Sequence, residues 1–334
     1  MAIVDNRKDQ FITSEAQLRQ RVPAYPKILD KRIRPELDRY CLELINFSTL
    51  VIAAYSDSNC PMEILSAKDV VVADGNTIVL SPSIAMRLTC DGCYASLYFM
   101  VPGVGHGLRV NGVVQHHDSQ LVFKIKSTYL HCARAAARSD LWNSEREQGP
   151  ANTTSPMLPE QFLAASSYLL MKTMNVVGET ELSPRGDQGR VVYSIGQSRL
   201  LIPERPGNKV AVSLRNILKN NKVELLMLIP ETDLIMHVSG HASITENKQL
   251  LDLAIVNNKR PKLAILMDQC CFFIAQSHAI QQTKPWLNER HVRPGELTRF
   301  SKALSAHMSG EGFIGKATTP FVDAIVKKDM RNLY

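Results

Sequence analysis

The residues best placed to do chemistry fall in the second half of the chain. Ser183-Pro184-Arg185-Gly186-Asp187 is followed by Ile202-Pro203-Glu204-Arg205-Pro206-Gly207-Asn208-Lys209, and then by Ser213-Leu214-Arg215-Asn216. The pattern predicts a strand over Ser198–Pro203, a Pro-Gly turn and a helix within Lys209–Asn220. Arg205, Asn208 and Lys209 then cluster at the helix start, with Ser213 and Arg215 one turn later. Such a turn can cradle an anion: backbone N–H groups and the helix dipole face it, and Arg and Lys neutralise a phosphate. The same residues also fit a solvated turn with ordinary surface charge.

A second stretch, His131–Trp142 (HCARAAARSDLW), reads as a short helix with His131, Arg134 and Arg138 on one face. Three such groups repel one another unless something anionic or π-rich lies opposite. Adjacent helical residues point about 100° apart, so His131 and Cys132 do not form a nucleophilic thiol–imidazole pair. Other patterns carry less. Gly310-x-Gly312-x-x-Gly315 fits a dinucleotide fingerprint, but too little chain follows for a βαβ unit. Cys90-x-x-Cys93 has no second Cys/His pair at zinc spacing and reads as a structural thiol pair, so no metal is expected. His116-His117 reads as a solvent-facing loop pair.

The elements that must position these residues follow from composition and periodicity. The chain has 334 residues, 45% hydrophobic and 21% charged, with 17 Gly and 17 Pro, which excludes disorder and fibrous repeats and suggests two domains. No apolar run reaches the roughly 18–20 residues of a membrane helix. MAIVDNRKDQ has no apolar core behind it, so no secretory signal is expected. The 7 cysteines read as reduced thiols in a cytoplasmic protein. The net charge of +7 is diffuse outside the Arg290–Tyr334 tail, which argues against nucleic acid and for a small anionic ligand.

A Pro/Ser/Thr-rich linker over Glu145–Pro159 and a break near Asn288–Glu296 divide the chain into 1–150, 151–289 and a tail, 290–334. The tail holds a candidate amphipathic helix at Phe300–Met308 and is expected to act as a lid or a docking segment. The two larger parts are similar to each other. FSTLVIAAY matches ASSYLLMKTM, YASLYFMVP matches VELLMLIP, LRVNG matches MHVSG, and Ser127–Trp142 matches Phe272–Trp286. Each copy reads as short strands between turn signals, a small antiparallel barrel with one or two helices. Ile12–Gln20 reads as a helix of the first part, capped by Ser14 or Thr13.

Taken together, these residues resemble the pyridoxamine 5′-phosphate oxidase-like FMN-binding split barrels. The resemblance rests on ITSEAQLR, VPGVGHGLRVNG and HCARAAARSDLW in the first copy and on SPRGD, IPERPGN and SLRN in the second. It implies a β-rich α+β fold, two tandem split β-barrels forming an intramolecular pseudo-dimer. Relatives are single-barrel homodimers with two flavins at the interface. Here Ser81–Gly92 is shorter than ERPGNKVAVSLRN, and Ser66-Ala67-Lys68-Asp69 stands at the SPRGD position. Conversely, His131 aligns with Ile274, Arg134 with Ser277, Arg138 with Gln281, and Arg109 with His237. The losses are complementary, so one FMN site per chain is expected, in a monomeric pseudo-dimer or a further homodimer.

The resemblance implies that Arg205, Asn208, Lys209 and Ser213 hold the FMN phosphate, with Arg215 in support. Arg185, Gly186 and Asp187 would lie along the ribityl chain or ring. Arg109, His131, Arg134, Arg138 and Trp142 would approach from the first copy, with Arg109, His131 and Arg134 as catalytic candidates. The implied activity is FMN-dependent oxidoreduction of a small-molecule substrate, with no nucleic-acid or membrane partner. The alternatives are a non-catalytic flavin-binding or redox-sensing protein, a haem-binding split barrel and a scaffold without cofactor.

Overall fold

Leu50–Tyr55 is an unbroken apolar run, LVIAAY, and every one of its residues is buried. Successive side chains of a strand point to opposite faces, and here both faces are covered. Val51, Ala53 and Tyr55 enter the core of the first copy. Leu50, Ile52 and Ala54 enter a separate core shared with the second copy. Tyr168–Met174 behaves alike, with Leu169 and Met171 facing inward and Tyr168 and Leu170 facing the shared core.

A computed structural model describes residues 10–25, 27–117, 120–143, 157–207, 209–310 and 312–334. Its first elements are β1 (Phe11–Ile12), α1 (Glu15–Arg21) and α2 (Arg39–Phe47). The first copy continues through β2 (Leu50–Tyr55), β3 (Glu63–Ser66), β4 (Val70–Asp74), β5 (Thr77–Leu80) and α3 (Pro82–Ala85). It ends with β6 (Cys93–Met100), β7 (Gly107–His117), β8 (Gln120–His131) and α4 (Arg134–Ser139). The second copy comprises α5 (Pro159–Ala165), β9 (Tyr168–Met174), β10 (Thr180–Gly186), β11 (Tyr193–Ser194), β12 (Leu200–Pro203) and α6 (Val212–Ile217). It is completed by β13 (Lys222–Leu228), β14 (Leu234–Thr245), α7 (Lys248–Asp252), β15 (Ala264–Gln276) and α8 (His278–Thr283). Helices α9 (Phe300–Ser309) and α10 (Phe313–Arg331) follow.

Strand order is β3-β2-β6-β7-β8-β5-β4 in one sheet and β10-β9-β13-β14-β15-β12-β11 in the other, a strand-for-strand repeat. Each copy carries a β-bulge at the same place, beside Gly112 and beside Gly240. A Cβ on Gly112 would lie 2.1 Å from the Lys124 carbonyl oxygen, and one on Gly240 2.9 Å from that of Asp268, so both bulges need glycine. The chain is therefore a duplication built as two tandem split β-barrels.

The ladders refine the correspondence between copies. Tyr98 pairs with Arg109 as Leu226 pairs with His237, so Arg109 and His237 are equivalent. His131 pairs with Gly107 as Ala275 pairs with Ile235, so the partner of His131 is Ala275, not Ile274. Arg134 and His278 each open their helices, which places Arg138 opposite Gln282. The strand partner of Gly186 is Tyr168 and that of Ser66 is Leu50, so SPRG corresponds to residues 63–66, three positions earlier than expected.

Other expectations are corrected. The helix of ITSEAQLR forms, and Ser14 accepts from Gln17 N at its start, but it serves the second barrel. β1 pairs with β14, Ile12 and Leu18 join the second core, and Arg21 contacts Glu246 at 2.5 Å. Periodicity reveals an apolar face but not which core it meets. His131 is the last residue of β8 and not part of a helix; α4 starts at Arg134. His116 and His117 end β7 instead of lying in a loop. Cys90 and Cys93 are brought side by side, with Cα atoms 5.9 Å apart, as the structural pair expected of them. Residues 144–156 of the expected linker lie outside the described residues. Among the described residues no helix is long and apolar enough to cross a membrane.

The tail is folded. α9 packs Ala303 into the first core, and Phe300 meets the His106 ring at 5.2 Å. Asp38 caps α2 by accepting from Tyr40 N and Cys41 N, and its other oxygen lies 2.7 Å from His307 Nε2 on α9. Burial raises the Asp38 carboxyl, but His307 and the Cys41 N–H outweigh it and hold the group at about 2.

Candidate functional site

A cavity of about 780 Å³ opens between the two barrels. Arg109, His131, Arg134 and Arg138 line it from the first copy; Arg185, Gly186, Asp187, Arg205, Lys209, Ser213 and Arg215 line it from the second. Eleven Arg and Lys residues line it against four Asp and Glu. The fold thus gathers the expected site residues from both halves, with two exceptions. Asn208 lies outside the described residues. Trp142 belongs elsewhere: it packs in the shared core, 5.3 Å from Trp286, and its indole N–H donates to the Val104 carbonyl.

On the first-copy wall, β7 and β8 present Arg109, Tyr129 and His131. Arg109 is buried; its Nη1 donates to the Leu182 carbonyl at 3.0 Å and pairs with Glu181 Oε2 at 2.5 Å, both on β10 of the other barrel. Burial raises the Glu181 carboxyl, against the pull of Arg109. The His131 ring lies edge-on to Tyr98 and Tyr129, at 5.5 and 4.9 Å. Its Nε2 is buried without a hydrogen-bond partner among the described residues. Burial, Arg109 and Arg32 all lower its pKa well below the usual value, so the ring is neutral.

Helix α4 supplies Arg134 and Arg138, four residues apart and therefore on one face. Both reach the Pro206 carbonyl of the second copy, Arg134 Nη1 at 3.3 Å and Arg138 through Nη2. α4 lies close enough to β10 to do this because Gly186 has no side chain; a Cβ there would sit 2.0 Å from the Ala135 carbonyl oxygen. Burial and the neighbouring Arg134 lower the Arg138 pKa to about 10.

On the second-copy wall, Arg205 Nε donates to Asp187 Oδ2 at 2.6 Å, and both residues are buried. Arg185 Nη1 pairs with Glu204, while its Nε is buried and unpartnered among the described residues, as is Arg215 Nε. Lys209 and Ala211 adopt left-handed conformations (φ 63° and 56°), a strain of order 1–3 kcal/mol each that the surroundings must hold. Arg19 of α1 supplies part of that hold, donating to the carbonyls of Lys209 at 3.0 Å and Val210 at 3.3 Å. α6 has only six residues, so the turn's side chains matter here more than a helix dipole.

Sequence reasoning did not place Arg19, Glu181, Lys259 or Tyr334 at the site. Arg19 lies within the quoted ITSEAQLR, but its partners are main-chain carbonyls, which leave no mark in a sequence. Glu181 lies two residues before SPRGD, and the buried Arg109 that faces it marks it only once the barrels are docked.

No protein-family profile and no curated protein matches the chain. Among solved structures, HupZ of Group A Streptococcus is 17% identical with a TM-score of 0.30, over 36% of this chain and 96% of its own. An F420 reductase is 16% identical with a TM-score of 0.27, over 36% of this chain and 98% of its own. HutZ, a haem storage protein from Vibrio cholerae, is 13% identical with a TM-score of 0.25, over 34% of this chain and 90% of its own.

Proposed function

We propose that the inter-barrel cleft binds one FMN per chain and that the protein is an FMN-dependent oxidoreductase acting on a small molecule. The observation that carries this reading is the convergence of cations from both copies on one cavity, with the Nε atoms of Arg185 and Arg215 buried and unpartnered among the described residues. A volume of about 780 Å³ lies within the range of cofactor pockets. Lys209, Ser213 and Arg215 would hold the phosphate, with Asn208 expected beside them. Arg205 is neutralised by Asp187, so its part is to fix the turn. FMN, when bound, supplies hydride and one-electron transfer. His131, held neutral by its buried, cationic surroundings and unpartnered at Nε2 among the described residues, would accept a hydrogen bond there.

The test is the visible spectrum of the purified chain, followed by heat release and quantification of flavin. One FMN per chain supports the reading; two would mean that the degenerate half also binds. A colourless protein that refuses added FMN overturns it. A haem reading is favoured by the same unpartnered His131 Nε2 and predicts a Soret band that His131→Ala removes.

A further inference from the structure

Residues 329–334 border the cleft, Tyr334 lining it, and engage cations that face it. Arg134 donates to the main-chain oxygens of Asp329, at 3.2 Å, and Asn332, at 3.3 Å. Arg138 Nε donates to the Leu333 carbonyl at 2.8 Å, and Lys259 Nζ to the main-chain oxygen of Tyr334 at 2.7 Å. The Tyr334 ring lies 5.3 Å from the Arg205 guanidinium and 5.7 Å from that of Arg138. Its hydroxyl donates to Asp187 Oδ1 at 2.7 Å and accepts from Gln188 N at 3.1 Å. Behind the segment lies a second cavity of about 800 Å³, which shares Arg138, Lys259 and Tyr334 with the first. The segment thus lies as a partition where the two cavities meet.

Two features make this partition removable. None of residues 331–334 is buried, so little apolar contact holds it down. Its grip on Arg138 is through the neutral Leu333 carbonyl, and on Arg134 through two main-chain carbonyls and one exposed carboxylate, Asp329 Oδ1 at 3.0 Å from Nη2. A phosphate or carboxylate outcompetes the neutral carbonyls because its hydrogen bonds are charge-assisted on both sides. We propose that residues 329–334 are a strap that shuts the cleft, and that an anionic ligand enters by taking Arg134 and Arg138 from the strap. This rests on the cleft being the ligand site, not on the ligand being flavin.

Cys132 lines the cleft and is partly exposed, whereas Cys41, Cys60 and Cys270 are buried and Cys271 is exposed. Alkylation of the full chain by iodoacetamide, read peptide by peptide, therefore reports opening at Cys132 with internal controls. Tyr334→Ala should label Cys132 about tenfold faster than wild type, the factor expected for losing a hydrogen bond to a charged partner, with Cys271 unchanged. Because Cys132 is partly exposed already, equal Cys132 rates together with an unchanged rate of trypsin cleavage after Arg331 in the variant overturn the strap. If Cys41 also labels, the variant has loosened globally, and Tyr334→Phe, which loses only the hydroxyl, replaces it with the same expectation and the same overturning result. Displacement is read in wild type by trypsin cleavage after Arg331. Millimolar inorganic phosphate should accelerate it several-fold, and an unchanged or slower rate overturns displacement. Faster Cys132 labelling in a protein that never binds FMN leaves the strap standing and removes the flavin reading alone.

Discussion

Trp142 and Trp286, one from each copy, meet across the barrel interface with ring centroids 5.3 Å apart, and each indole N–H donates to an equivalent loop carbonyl, Val104 for one and Thr232 for the other. The pair marks the pseudo-twofold relation between the copies. Around it, Leu50, Ile52, Tyr168, Leu170, Leu226 and Leu228 form a core that belongs to neither barrel alone. The interface is therefore part of the fold.

That symmetry predicts matched costs. Trp142→Ala and Trp286→Ala should each destabilise the chain by about 2–3 kcal/mol, below the range for a fully buried tryptophan because both rings are only partly buried. Urea denaturation of the two variants checks this, and a cost confined to one of them would contradict a shared interface.

Binding should depend on one half only. Lys209→Ala with Arg215→Ala removes two cations that hold no buried carboxylate, and should weaken FMN binding at least about 100-fold, at roughly 1.5–3 kcal/mol per charged hydrogen bond, with little change in melting temperature. Ser83 follows β5 where Arg205 follows β12, and Ser83→Ala should leave retention intact. Fluorescence titration of FMN separates the two. Arg205→Ala with Lys209→Ala should also abolish retention, but Arg205→Ala strands the buried Asp187 and is expected to cost stability as well.

Gly186→Ala should couple stability to ligand binding. The added methyl meets the Ala135 carbonyl oxygen at 2.0 Å and must push α4 away from β10, carrying Arg134 and Arg138 with it. A loss of about 1–3 kcal/mol is expected from such overpacking, together with weaker FMN binding. Normal affinity in a destabilised variant would show that α4 does not set the site.

Acid should release α9. Burial lowers the His106 pKa to about 4, against an unfolded value near 6.5. A group whose folded pKa is depressed contributes stability that is present above its unfolded pKa and is lost as pH falls through the folded one. Stability should therefore fall between about pH 6.5 and 4, by up to about 3 kcal/mol. Thermal melts across that window should show a shallower fall for His106→Gln.

Much of this architecture was legible in the chain because it is written in side chains. The doubled apolar runs are strands buried on both faces, and the expected cations do line one cavity. What escaped is written in the backbone. Alignment slipped by one residue between His131 and Ala275 because register is set by ladder pairing and not by residue likeness. Trp142 matched the family pattern, yet its environment is its own counterpart, Trp286. The tail could be read as a covering segment, but its attachment could not, because it holds Arg134 and Arg138 mostly by main-chain oxygens, which every residue carries, with the Asp329 carboxylate beside them.

The crossing of α1 to the second barrel bears on the order in which the protein can be finished. Ile12 must wait for Ile244 before β1 can pair, so the second barrel closes only when an early segment returns to a late one. The turn that carries Lys209 is steadied by Arg19 on that same segment. During synthesis, residues 11 and 12 are made long before Thr245 and Ile244, so this pairing cannot form until most of the second copy has been made. Two fragments cut within 144–156 would each hold a piece of the other's barrel, and would complement one another as a split protein does.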